Sequence, residues 1–177
     1  MRSGFAKSAT LTALLCSGHM AAQAIPIDPH DPLHRVGPAD IPCVIKAAMR
    51  HDIPANVLLA VASMEGGKNG QQVLNKNGTY DVGHFQINSI HFSENGVFRH
   101  IKREDATWRG CYNAELAAWF LKQRLNARSG GDYWTRVATY HSATPKYNAI
   151  YRGKLIPLAV RWGVWLQANY KTTISYH

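Results

Sequence analysis

Acidic residues are scarce in this 177-residue chain: 11 Asp and Glu stand against 20 Lys and Arg, for a formal charge of +9. That balance suits an anionic polymer as partner. Yet the Lys and Arg residues never form a run of five or more, and no recognition-helix pattern is present, which argues against nucleic acid. Cysteine is rare, three in all, with no CxxC pair, and His84, His91 and His141 show no HExxH spacing. Both absences argue against a metal site. No internal repeat or low-complexity tract occurs. The apolar stretch from Ala9 to Ala22 is too short, and too broken by Ser17-Gly18-His19, to span a bilayer.

What that stretch does have is a basic start at Arg2 and Lys7 and an Ala22-Gln23-Ala24 ending, the pattern of a cleaved export signal. Residues 1–24 therefore read as a signal peptide and the mature protein as periplasmic. Cys16 follows Leu15 rather than a small residue, so a lipid anchor is not expected. Removing Arg2 and Lys7 lowers the charge from +9 to +7. The remaining chain of roughly 150 residues suffices for one domain with a real core. It keeps two cysteines, Cys43 and Cys111, and an even pair in an oxidising compartment is most simply a disulfide. Closing so long a loop would restrict the unfolded chain by about 4 kcal/mol on the entropic model.

Residues 25–39, with four prolines, read as an extended lead-in. Asp40-Ile41-Pro42 predicts a capped helix to about Arg50. Pro54 and Gly66-Gly67 bracket a second, three-turn helix ending at Glu65. Asn75-Lys76-Asn77-Gly78 predicts a turn, and Thr79-Tyr80-Asp81-Val82 has strand propensity, so a small hairpin is expected. Asn88-Ser89 can cap a short helix. Ala114, Ala117, Ala118, Leu121 and Leu125 form the stripe of a long helix from Asn113 to Arg128, ended by Ser129-Gly130-Gly131. A helix over Tyr133 to Tyr140 follows, then helical segments to Asn169, interrupted at Gly153 and Pro157. Trp162, Trp165 and Leu166 read as core-facing. The fold class is mainly α with a small β-hairpin, one domain over 40–169 and a tail over 170–177.

Glu65 stands out because it carries a charge where packing would not place one. Leu58 and Val61 share its face, so the carboxylate points toward the core or a cleft. It also lies at the negative end of its helix dipole. Both effects raise its pKa toward that of a proton donor at neutral pH; the alternative is a solvated helix-end Glu. Asp81, on the expected hairpin, supplies a second carboxylate. One acid to protonate a leaving oxygen and one carboxylate to support a positive sugar ring is a layout for glycosidic bond cleavage. Asp81 could equally bond the turn backbone, and Asn88 could be no more than a cap.

In the order Glu65-Gly66-Gly67, Asn77-Gly78-Thr79-Tyr80-Asp81-Val82-Gly83, Gln86-Ile87-Asn88 and Tyr140-His141-Ser142-Ala143-Thr144-Pro145, the chain resembles the lysozyme-like (SLT-type) lytic transglycosylases. It is most similar to the branch associated with conjugation and type IV secretion. The Asp81 to Ser89 stretch also resembles animal lysozymes, which share the fold. The resemblance implies a lysozyme-like domain acting on peptidoglycan glycan strands. Glu65 would be general acid and then base; Asp81 is put forward as a second catalytic residue from the paired-carboxylate layout, not from the resemblance. Gln86, Asn88, Tyr140 and His141 would bind substrate, and Cys43 and Cys111 match a cysteine pair of related members. No metal or cofactor is implied; components of a secretion or conjugation machine are the implied partners. A hydrolytic muramidase using Glu65 and Asp81, or a non-catalytic wall-binding subunit, are the alternatives. The chain departs from the usual pattern at Gly66 after the acid, at Gly83-His84-Phe85-Gln86, and at His141-Ser142-Ala143. The second of these changes is expected to put an imidazole, His84, and a larger ring, Phe85, near the glycan groove.

Overall fold

The structure, a computed structural model, describes residues 35–127 and 130–170. The expected signal peptide, most of the lead-in, residues 128–129 and most of the tail lie outside the described residues. The order is α1 (Ile41–Arg50), α2 (Ala55–Glu65), β1 (Gln72–Leu74), β2 (Tyr80–Val82), β3 (Ile87–Asn88), a 3-10 turn (Ser89–Phe92), α3 (Arg103–Trp108), α4 (Gly110–Asn126), α5 (Tyr133–Ala138) and α6 (Pro145–Asn169). The fold class is therefore as the sequence predicts, mainly helical with one small antiparallel sheet.

The hydrophobic centre is α2. Val57, Leu58, Leu59, Ala60, Val61 and Ala62 are all buried, with α1 on one flank and α6 on the other. A helix packed between two others fixes where its last residue, Glu65, emerges. α4 lies behind α1 and buries Ala114, Ala117, Ala118 and Leu121 completely, the stripe its spacing predicts. It starts earlier than expected, at Gly110, and ends at Asn126. The early start follows from the incoming chain: Gly110 donates its N–H to the Gly37 carbonyl at 2.7 Å, and Gly37 donates to the Trp108 carbonyl at 3.0 Å. Cys43 in the first turn of α1 and Cys111 at the start of α4 form a disulfide, their Cα atoms 5.5 Å apart. Asp40 caps α1 by accepting from the Cys43 N–H at 2.8 Å.

The sheet has the order β1-β2-β3, with Leu74 opposite Tyr80 and Asp81 opposite Asn88. The hairpin turn is where the sequence places it: Asn75 and Thr79 close it backbone to backbone at 2.8 Å, and the Asn77 side chain accepts from the Thr79 N–H. The third strand was not expected. Asn88 does cap the 3-10 turn, accepting from the Ile90 N–H at 3.0 Å.

Two expectations fail in the C-terminal half. α6 is one continuous helix of 25 residues, with Pro157 inside it. Proline removes the bond to the carbonyl four residues back, which is that of Gly153. Both residues are exposed, so the carbonyl that loses its partner lies on the solvent side of the helix. Asn148, Tyr151, Leu155 and Ala159, buried at helical spacing, keep the rod seated. Trp165 is also not core-facing: it is 37% exposed, whereas Trp162 and Leu166 are half-buried against the core.

Candidate active site

Glu65 comes to the C-terminal end of α2, where Gly66 adopts the left-handed conformation (φ 59°) and ends the helix, its N–H donating to the Ala62 carbonyl. Gly67 then runs against the turn between β2 and β3. A Cβ there would lie 2.2 Å from the Gly83 carbonyl and 2.5 Å from the Gln86 amide nitrogen. The absent side chain lets helix and sheet meet directly beside the acid, with Gly67 donating its N–H to the His84 carbonyl at 3.2 Å.

That turn is held from behind by Asn113 of α4, which is fully buried. Its Oδ1 accepts from the Phe85 N–H at 2.7 Å and its Nδ2 donates to the Val82 carbonyl at 3.3 Å. From the front, the Tyr140 hydroxyl donates to the Phe85 carbonyl at 3.0 Å. Gln86, itself at φ 48°, donates its side-chain amide to the Gly83 carbonyl at 2.8 Å. The turn thus presents Gln86, Ile87 and Asn88 along a cleft while hiding Phe85.

This cleft, of about 620 Å³, brings together Glu65, Asp81, Gln86, Asn88, Tyr140 and His141, every residue that the sequence put forward for catalysis or sugar binding. Asn75 and Asn77 of the hairpin add further amides, which offer the paired donors and acceptors that sugar hydroxyls and N-acetyl groups require. Lys76, Arg124 and His91 also line it. A smaller lobe of about 210 Å³ opens on the other side of Glu65, between Met64, His141, Tyr147, Ile150, Tyr151 and Lys154. Glu65 stands at the junction of the two.

The electrostatics single out Glu65. Burial pushes its carboxyl from an ordinary 4.5 up to about 7, against the pull of a hydrogen bond from Tyr151 and with a smaller push from the nearby Asp81 charge. The Tyr151 hydroxyl donates to Glu65 Oε1 at 2.7 Å. Burial and the neighbouring Glu65 hold that phenol far above its ordinary range, so it remains a donor. His141 stacks on the Tyr151 ring with centroids 4.8 Å apart and planes 5° apart, fixing the ring's orientation. Asp81 differs from Glu65 in its surroundings: Asn88 Nδ2 donates to its Oδ1 at 2.8 Å and also reaches Thr79 Oγ1 at 2.9 Å. Asn88 is thus both a cap and the brace of Asp81.

The imidazole and larger ring expected beside the groove are not in it. Phe85 is fully buried, because its backbone is tied at both ends and its ring turns inward. His84 lines a separate depression with Gly67, Lys68 and Trp162. Gly66 serves as the helix stop. Sequence reasoning missed Tyr151 and Asn113. Tyr151 sits at the buried spacing of Leu155 and Ala159 and so reads as core. Asn113 lies four and eight residues before Ala117 and Leu121, and a lone amide on that apolar stripe was the available signal.

Asp40, Cys43 and Cys111 form the one cluster of metal-ligating side chains among the described residues. Its cysteines are bonded to each other and Asp40 is engaged as the α1 cap. No helix among the described residues is long and apolar enough to cross a membrane.

A helical domain in which a carboxylic acid held near neutrality overlooks an amide-lined cleft against a small sheet has the build of the lysozyme-like class. Within that class the chain belongs to the SLT transglycosylase family: residues 42–150 match the transglycosylase SLT domain. It is similar to protein IpgF of Shigella flexneri, 31% identical over 118 residues that cover 62% of this chain and 69% of that relative. Protein IpgF of Shigella sonnei is similar to the same extent. Membership places the chain among proteins that act on peptidoglycan, and a disulfide fits an exported protein.

Proposed function

We propose that this chain is a peptidoglycan lytic transglycosylase in which Glu65 is the sole general acid and base. The observation that carries the reading is the Glu65 carboxyl, held near neutrality by burial and gripped on one oxygen by Tyr151. Protonated Glu65 donates to the glycosidic oxygen between N-acetylmuramic acid and N-acetylglucosamine as the bond from that oxygen to the muramoyl anomeric carbon breaks. The resulting Glu65 carboxylate then takes the proton of the muramoyl 6-hydroxyl, whose oxygen closes on the anomeric carbon. A 1,6-anhydro end forms, the acid regains its proton, and no water is consumed. Gln86, Asn88 and the hairpin amides hold the sugars, and His141 keeps Tyr151 in place.

The rival reading, a muramidase with water as acceptor, draws support from the Asp81 charge acting on Glu65. Against it, Asp81 has one carboxylate oxygen committed to Asn88. The mature protein in this reading is periplasmic after loss of residues 1–24. It opens the wall locally for an envelope-spanning conjugation or type IV secretion machine. Mass analysis of fragments released from purified sacculi tests the chemistry, with Glu65→Gln as the inactive control. Products lighter by one water than hydrolysed muropeptides are expected. Reducing ends from the wild-type protein would instead assign the muramidase.

A further inference from the structure

The cleft holds a cation for which the glycan backbone offers no counterpart. Arg124 lies in the last turn of α4, with its guanidinium carbon 4.4 Å from the centre of the Phe120 ring. Phe120 is itself wedged between His91, centroids 4.6 Å apart, and Tyr140, centroids 5.7 Å apart, and all four residues line the same cleft. Among the described residues no carboxylate lies within ion-pair distance of Arg124.

A basic residue in a final helical turn is usually a partner of the helix dipole. Arg124 does not fit that role well. Its side chain runs back one turn toward the N-terminus to reach Phe120, away from the last carbonyls. The guanidinium lies over the ring and Arg124 is exposed, so its planar fork of N–H donors remains available to a carboxylate. Lys76 on the facing hairpin loop adds a second cation, and the acids lining the cleft are Glu65, neutral until about pH 7, and Asp81, braced by Asn88.

Alternating N-acetylglucosamine and N-acetylmuramic acid carry no free charge, since the muramoyl lactyl group is consumed as an amide where a peptide stem is attached. On intact strands, then, carboxylates enter the cleft with the stem. Resting on the peptidoglycan reading above, we propose that Arg124 docks a stem-peptide carboxylate, so that the chain selects stem-bearing strands over bare glycan.

The test compares cleavage of purified strands before and after an amidase removes their stems, with the lactyl carboxylates that the amidase frees then capped as neutral amides. Wild-type protein is expected to favour stem-bearing strands in kcat/KM by about tenfold or more, the range of a charge-assisted hydrogen-bonded contact. Arg124→Gln should collapse that ratio toward one, and Arg124→Lys should restore part of it, keeping the charge without the fork. Equal wild-type rates on both strands, or an Arg124→Gln loss equal on both, would overturn the proposal. Binding of both strands by the Glu65→Gln variant, with and without Arg124→Gln, separates this from the catalytic reading. If wild-type protein cleaves neither strand, stem-dependent binding that Arg124→Gln abolishes retains the inference while the transglycosylase reading falls. Stem-independent binding ends it. Because the amidase leaves any phosphate-containing wall polymer in place, binding that Arg124→Gln weakens equally before and after stripping assigns Arg124 to such polymers and refutes the stem.

Discussion

The hydroxyl of Tyr151 and the carboxylate of Glu65, 86 residues apart in sequence, meet at 2.7 Å across the interface of α2 and α6. The tyrosine holds the proton donor from the side opposite the hairpin, and its ring is fixed between the core and His141. Its hydrogen bond lowers the Glu65 pKa while burial raises it, and burial wins.

Tyr151→Phe removes the one lowering influence. The Glu65 pKa should rise above about 7, so the alkaline limb of the kcat/KM profile moves to higher pH. At the same time kcat should fall about tenfold, as the carboxylate loses an aligned, charge-assisted bond. A pH series on both proteins reads the two effects separately. A fall in kcat with an unmoved limb would leave Tyr151 a purely structural residue.

The same carboxyl makes stability depend on pH. Its folded pKa, about 7, lies above the ordinary 4.5, so the folded chain binds its proton more tightly than the unfolded chain does. This contribution is whole below pH 4.5 and is lost as pH rises through 7. Glu65→Gln has no such loss. Urea unfolding should therefore show the variant gaining on the wild type between pH 5 and pH 8, by roughly 2–3 kcal/mol at about 1.4 kcal/mol per pKa unit.

Asp81→Asn keeps an oxygen to accept from Asn88 and removes only the charge. On the single-acid route the loss in activity should stay within about tenfold, with the alkaline limb slightly lower because the Asp81 push on Glu65 is gone. A loss of about a thousandfold would move Asp81 into the chemistry.

Asn113→Ala should destabilise the fold by about 2–4 kcal/mol, since the Phe85 N–H and the Val82 carbonyl lose a buried partner together. Chemical denaturation measures it. Activity should decline as well, because that turn carries Gln86 and Asn88.

Much of this was legible in the sequence where a local rule decides the outcome. The Asp40 cap, the Gly66-Gly67 stop and the Asn75 to Gly78 turn each follow from the backbone preferences of a few neighbouring residues. The cleft residues Glu65, Gln86, Asn88 and Tyr140 were visible through the motif that holds them. What was not legible depends on distant partners. Tyr151 is at core spacing and becomes a donor only because α6 lies along α2. Asn113 staples a turn that local reasoning cannot connect to it. Pro157 and Gly153 looked like breaks, and they are harmless because they share one solvent-facing side of a helix pinned by its other side. His84 and Phe85 were placed in the groove by adjacency to Gln86, although the turn sends their side chains elsewhere.

Gly67 joins the two halves of the cleft by bare main chain, with a carbonyl 2.2 Å from where any side chain would begin. A single added methyl group there would act as a wedge, prising the sugar-holding turn from the helix that carries the acid. The chain would keep its helices and its disulfide and lose the alignment of its jaws.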